Sequence, residues 1–221
     1  MAKEQQSQGS CNTTSGKFAM NKRPADYAMV SQMKRGKRVL GLDLASNCGA
    51  SFCDIPGDAE PGDEYLIVGG QWNLSISNHD TQSIRYLRLK AYLEVARPDF
   101  ICYEEVKYTG KTAPPGMKKM SVQAIVARAV TGAQVVQGLS AILVAWCEEH
   151  NIPCMAVPIG TLKNYATGSG KANKIDMIRA CNTAFGTEFD TADYDKTGVD
   201  NIADSMFLCR YGVAQFFEVK G

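Results

Sequence analysis

Three short apolar runs, at residues 38–45, 48–54 and 65–74, precede any helix-like segment, and beyond them helix-like and strand-like segments alternate. This order constrains the fold more than any single motif. "PGDAEPGDE" supplies the turn between the second and third runs, and "SN" the tight turn between the first two. "TQSIRYLRLKAYLEVA" places Ile84, Leu87, Tyr92 and Val95 at near-helical spacing and stops at Arg97-Pro98. "DFICYEEV" and "IPCMAVP" read as buried strands on either side of a long helix at about 120–150. Two shorter helices fit 159–166 and 171–185, and a last one 198–217. Three antiparallel strands followed by alternating helices and strands predict an α/β fold. Its mixed five-stranded sheet carries helices on both faces, with the first and fourth strands adjacent in the middle.

Residues 1–35 are polar and without a sustained period, which predicts a flexible N-terminal arm ahead of one domain at 36–221. No apolar stretch approaches the roughly 20 residues of a membrane span. The eight cysteines are scattered, form no Cys-x-x-Cys pair and fall largely inside apolar runs. Free thiols packed as small hydrophobes are expected, with neither disulfides nor zinc, and hence a reducing cytoplasm. A net charge of +1 does not advertise a polyanionic partner, but the basic residues are clustered. Lys22, Arg23, Lys34, Arg35, Lys37 and Arg38 precede the first strand; Lys107, Lys111, Lys118 and Lys119 form a second group, and Lys163, Lys171 and Lys174 a third. Any one cluster can be a solvated face, yet acidic segments elsewhere balance the total and leave room for a basic groove.

Within the first apolar run sits Asp43, a residue depleted from strands and costly to bury unless paired or bound to a cation. Glu104 and Glu105 end the fourth strand, and Asp200 and Asp204, four apart, share one face near the start of the last helix. Taken alone, Asp200 complements a helix dipole. Asp43 and Asp204, with apolar neighbours on both sides, are harder to explain in that way. If the first and fourth strands are neighbours and the last helix crosses them, Asp43, Glu104, Asp200 and Asp204 converge. Their mutual repulsion calls for cations, and an oxygen-only set suits Mg²⁺ or Mn²⁺. Two such ions could activate a water and stabilise the leaving oxygen of a phosphodiester.

"GLDLASNCGASF", "ICYEEV", "TLKNYATGSGKANK" and "DNIADS", in this order and spacing, resemble the RuvC-type Holliday junction resolvases of the ribonuclease H-like superfamily. The resemblance spans about residues 37–214. It implies a homodimeric, Mg²⁺-dependent endonuclease that nicks branched DNA symmetrically, in a bacterial or phage-infected cell. Asp43 matches the family's first-strand aspartate, Glu104 the fourth-strand glutamate and Asp204 the last-helix aspartate. Where bacterial members place an acid or histidine, three residues before that aspartate, this chain has Asn201; Asp200 resembles the pattern of phage-encoded relatives. Glu105 is then outward-facing or supporting, and Lys163 and Lys174 match basic residues used around the scissile strand.

The loop "KYTGKTAPPGMKK" follows Glu104 directly. Its four lysines around Tyr108, with Lys171 beyond, read as a DNA-binding surface in which Tyr108 stacks on an unpaired base. The long helix is apolar or small nearly all round: Val122, Ile125, Val126, Val130, Val135, Val136, Leu139, Ile142 and Leu143. One stripe can cover the sheet, and the second predicts a homodimer. Three other readings remain at this level: a less selective flap or fork nuclease, an actin-like nucleotide phosphotransferase, and a junction-binding protein without catalysis.

Overall fold

The computed structural model describes residues 36–60, 62–77, 79–81, 83–106 and 122–220, without the side chains of 122–131 and 218–220. The predicted arm at 1–35 and the loop at 107–119 lie outside the described residues. Five strands, β1 (Lys37–Asp43), β2 (Asn47–Ile55), β3 (Ile67–Asn73), β4 (Phe100–Glu104) and β5 (Cys154–Val157), form one sheet in the order β3-β2-β1-β4-β5. β1–β2 and β2–β3 pair antiparallel, while β1–β4 and β4–β5 pair parallel. The mixed sheet is therefore as expected, with β1 beside β4 at its centre.

The helices are α1 (Ser83–Ala96), α2 (Val122–His150), α3 (Ile159–Thr167), α4 (Lys174–Phe185), α5 (Tyr194–Thr197) and α6 (Val199–Lys220). Strand alternation divides them between two cores. Leu40, Leu42, Cys48, Ala50, Ile101 and Tyr103 face α1 and α2, where they meet Leu89, Leu93, Leu139, Leu143 and Trp146. Val39, Cys53, Ile55 and Cys102 face the other way, toward α3, α4 and α6, and pack with Leu162, Met177, Cys181, Phe207 and Cys209.

Two sequence expectations need correction. In α1 the predicted apolar stripe faces the core only in part: Tyr92 packs on it, whereas Leu87 and Val95 are 61% and 81% exposed and Arg85, Leu89 and Leu93 are buried. Half-buried Tyr86 and Tyr92 pack beside Leu89 and Leu93 on the same core. Tyr92 stacks on Trp72 with ring centroids 5.1 Å apart. The basic cluster ahead of β1 is in part an internal clamp. Arg38 donates through Nε and Nη2 to both oxygens of Asp54, at 2.6 and 2.7 Å, and through Nη1 to the Ala96 carbonyl; Lys37 pairs with Asp99. Short α5 was not anticipated, four residues being too few to show a period.

The seven described cysteines are free, and all except Cys154 are buried. Burial pushes the thiols of Cys53 and Cys102 up to about 12, so they stay protonated and act as packing atoms. No helix among the described residues is long and apolar enough to cross a membrane.

Candidate active site

The strand period that sends Leu42 to one core sends Asp43 to the other face, and the same alternation in β4 puts Glu104 with Cys102 on that face. Across this face runs α6, carrying Asp200 and Asp204. Two glycines let it descend onto the sheet. A Cβ on Gly41 would lie 2.3 Å from the Ser205 carbonyl oxygen and the Cys209 nitrogen, and one on Gly49 1.9 Å from the Asn201 carbonyl oxygen. Gly49 is also the cross-strand partner of Asp43. The close approach is then locked by polar contacts: Asn201 Nδ2 donates to the Asn47 carbonyl at 2.6 Å, the Ser51 and Ser205 hydroxyls share a buried 2.6 Å bond, and Gln71 Nε2 donates to the Gly198 carbonyl at 3.0 Å.

The four acids Asp43, Glu104, Asp200 and Asp204 are thereby coupled. Burial raises Asp43 well above the usual carboxylate range, and the charges of Glu104, Asp204 and Asp200 raise it further. Asp204 is pushed up to about 7, first by burial and then by Glu104 and Asp200. Burial raises Glu104 as well, against the pull of Lys163 and Lys174. Asp200 is 4% exposed and forms an ion pair with Lys174. Asn201 Nδ2 donates to the Asn47 carbonyl, whereas the charge of its neighbour Asp200 is felt by both Asp43 and Asp204. Glu105 belongs to the opposite face: its charge is felt by Tyr103, and its N–H donates to the Val157 carbonyl, prolonging the β4–β5 pairing.

The basic residues divide in the same way. Lys174 opens α4 where a capping box, Asn173 with Asp176, starts the helix. Lys163 sits on α3, near enough for its charge to lower both Glu104 and Asp204. Lys171 is exposed in the turn between these helices. Lys107, Tyr108, Lys111, Lys118 and Lys119 lie outside the described residues. Sequence reasoning missed the polar contacts that seat α6. Gly41 and Gly49, flanking the turn after Asp43, were the available signal.

An all-oxygen set of carboxylates fits a hard divalent cation. One atom makes the point directly: Asp204 Oδ1 is buried and has no hydrogen-bond partner among the described residues. A cation would satisfy that oxygen and relieve the repulsion at once. As the side chains stand, however, no three acidic, histidine or cysteine residues among those described are grouped closely enough to hold an ion.

The cluster makes a pH dependence in the absence of metal. Unfolded carboxyls titrate near 4, whereas Asp204 titrates at about 7 and Asp43 is also raised. Above about pH 4 the native state binds more protons than the unfolded one, so stability falls as pH rises from about 4 through about 7. Melting in EDTA should show this decline, and saturating Mg²⁺ should restore most of the loss at pH 8. A metal-free melting temperature that climbs through the same window would contradict the coupling.

No protein-family model and no curated protein matches the chain. Solved structures do. Thermus thermophilus RuvC aligns at 15% identity over 83% of this chain and 95% of that one, with a TM-score of 0.53. The same protein in complex with Holliday junction substrate aligns at 14% identity over 83% and 96%, with a TM-score of 0.54. The yeast mitochondrial Holliday junction resolvase aligns at 16% identity over 87% and 88%, with a TM-score of 0.48. At such identities the likeness is one of architecture. This chain has the ribonuclease H-like fold of the RuvC-type Holliday junction resolvases.

Proposed function

We propose that residues 36–221 are a Mg²⁺-dependent endonuclease that resolves four-way DNA junctions by paired phosphodiester hydrolysis. The observation that carries this reading is the convergence of Asp43, Glu104, Asp200 and Asp204 on one face of the sheet, with Lys163 and Lys174 beside them. Asp43, Glu104, Asp200 and Asp204 would hold the cations, Mg²⁺ or in its place Mn²⁺, two per site. The metal would supply an activated water and charge stabilisation for the leaving oxygen. Lys163 and Lys174 would neutralise the phosphates of the cut strand, and Lys171 and the 107–119 loop would extend the grip along the branch. The neighbour solved with Holliday junction substrate supports four-way DNA as the first substrate to test.

A flap or fork nuclease would use the same carboxylates, and the substrate separates the two. Purified protein with Mg²⁺ is offered matched four-way, three-way, flap and linear DNAs. Four-way junctions should be cut fastest, in symmetric pairs of nicks. Equal rates on flaps and junctions would support the less selective nuclease, and failure to cut any of them would defeat the reading.

Paired cutting requires two sites, and we place the second on a homodimer through α2. Part of its apolar surface is already used within the protomer: Leu139 and Leu143 are fully buried, and Val135, Val136 and Ile142 pack partly on the same core. Gly132, Ala133, Gly138 and Ala141 are small enough to allow a second helix close, but Gly138 lies against Tyr86 of α1 within the protomer. Ala141 remains exposed; the side chains of Val122, Ile125, Val126 and Val130 lie outside the described residues. Light scattering at micromolar concentration should give about twice the 24.0 kDa chain mass. A monomer at that concentration would remove the dimer.

A further inference from the structure

Asp200 is nearly sealed from solvent, yet its partner is not: the side chains are 6% and 59% exposed for Asp200 and Lys174. The Lys174 ammonium reaches inward to Asp200 and lies 5.7 Å from the centre of the Tyr194 ring. Its backbone is fixed by the capping box, in which Asn173 Oδ1 accepts from the Asp176 N–H at 3.1 Å and Asp176 Oδ2 accepts from the Asn173 N–H at 3.0 Å. A long flexible stem on a fixed base can withdraw toward solvent without repacking the core. Meanwhile, among the described residues, Asp204 Oδ1 has no hydrogen-bond partner and the acids are not drawn together as a ligand set. One acid of the four is thus held by a cation of the protein's own.

We propose that Lys174 is the resident counter-cation of the metal-free site, pairing with Asp200 until a divalent ion enters and then releasing it to the ligand set. The inference rests on the metal-dependent reading above. A buried carboxylate stripped of its partner is strongly destabilising, so the ammonium leaves only as another cation arrives. Once freed, it remains beside the site, where a substrate phosphate is the natural new partner. Metal loading and preparation of a phosphate contact become one exchange. The Tyr194 ring face attracts the ammonium near its departure point.

The test is a double-mutant cycle of Lys174→Met and Asp200→Asn, read as melting temperature in EDTA and again in saturating Mn²⁺, together with Mn²⁺ calorimetry. In EDTA the two single shifts should be non-additive by about 3 °C. In Mn²⁺ the coupling should vanish, and Lys174→Met should bind Mn²⁺ roughly three- to tenfold more tightly than the parent. Lys174→Gln repeats the cycle if the methionine variant does not fold. Coupling of equal size in both conditions would identify a permanent structural pair and overturn the proposal, as would no coupling in either. If the parent chain binds no Mn²⁺ at all, the metal-dependent reading itself fails; if it binds Mn²⁺ and the coupling persists, only the exchange is lost.

Discussion

Asp43→Asn should abolish cleavage of a four-way junction, by roughly 10³-fold or more, while leaving the metal-free protein as stable as before or more so. The two halves of this expectation have one cause. Asp43 is half-buried beside Glu104, Asp204 and Asp200, and its environment resists the charged form. Asparagine keeps the shape, removes a charge from a repelling cluster and offers one good oxygen where a carboxylate offers two. Metal affinity should therefore fall and the EDTA melting temperature hold or rise, with junction binding largely retained because no lysine is touched. An aspartate kept only for structural reasons would behave in the opposite way. Melting in EDTA, junction binding and cleavage in Mg²⁺, measured on one preparation, separate the cases. A variant that melts far below the parent yet cuts at the parental rate while folded would exclude Asp43 from the chemistry.

The strand order was legible because β1, β2, β4 and β5 are short apolar runs bounded by turn residues, and because parallel neighbours need the helical crossovers that the spacing provided. The facing of Asp43 and Glu104 followed from the two-residue strand period once β1 and β4 were neighbours. α1 was harder. Its apolar and aromatic residues lie on several faces, and the period through Ile84, Leu87, Tyr92 and Val95 finds Tyr92 on the core but Leu87 and Val95 in solvent, missing Leu89 and Leu93. The role of Lys37 and Arg38 was also hidden, since a charge run looks the same whether it meets solvent or Asp54 and Asp99. The difference between Asp200 and Asn201 was hidden in the sequence: one position around a helix is about 100°, and only coordinates show that Asn201 Nδ2 donates to the Asn47 carbonyl while Asp200 pairs with Lys174.

Gly49→Ala should be the most damaging single methyl group in the site, lowering the melting temperature by roughly 6–12 °C and suppressing metal binding with it. The added Cβ would lie 1.9 Å from the Asn201 carbonyl oxygen, and the obstacle is backbone rather than the end of a flexible side chain. β2 is held between β1 and β3 by its register, so the strain is relieved by lifting the first turns of α6. That movement stretches the Asn201–Asn47 bond and carries Asp200 and Asp204 away from Asp43, which lies directly across from Gly49. Overpacking of this kind costs about 3 kcal/mol. Gly70→Ala is the internal control, because it sits in the adjacent strand and its Cβ would meet nothing closer than 3.9 Å. It should leave stability unchanged or slightly raised, since alanine reduces the freedom of the unfolded chain without a native clash. If Gly49→Ala melted like Gly70→Ala and bound Mn²⁺ like the parent, α6 would not depend on that contact, and the glycines around Asp43 would not be what brings the acids together.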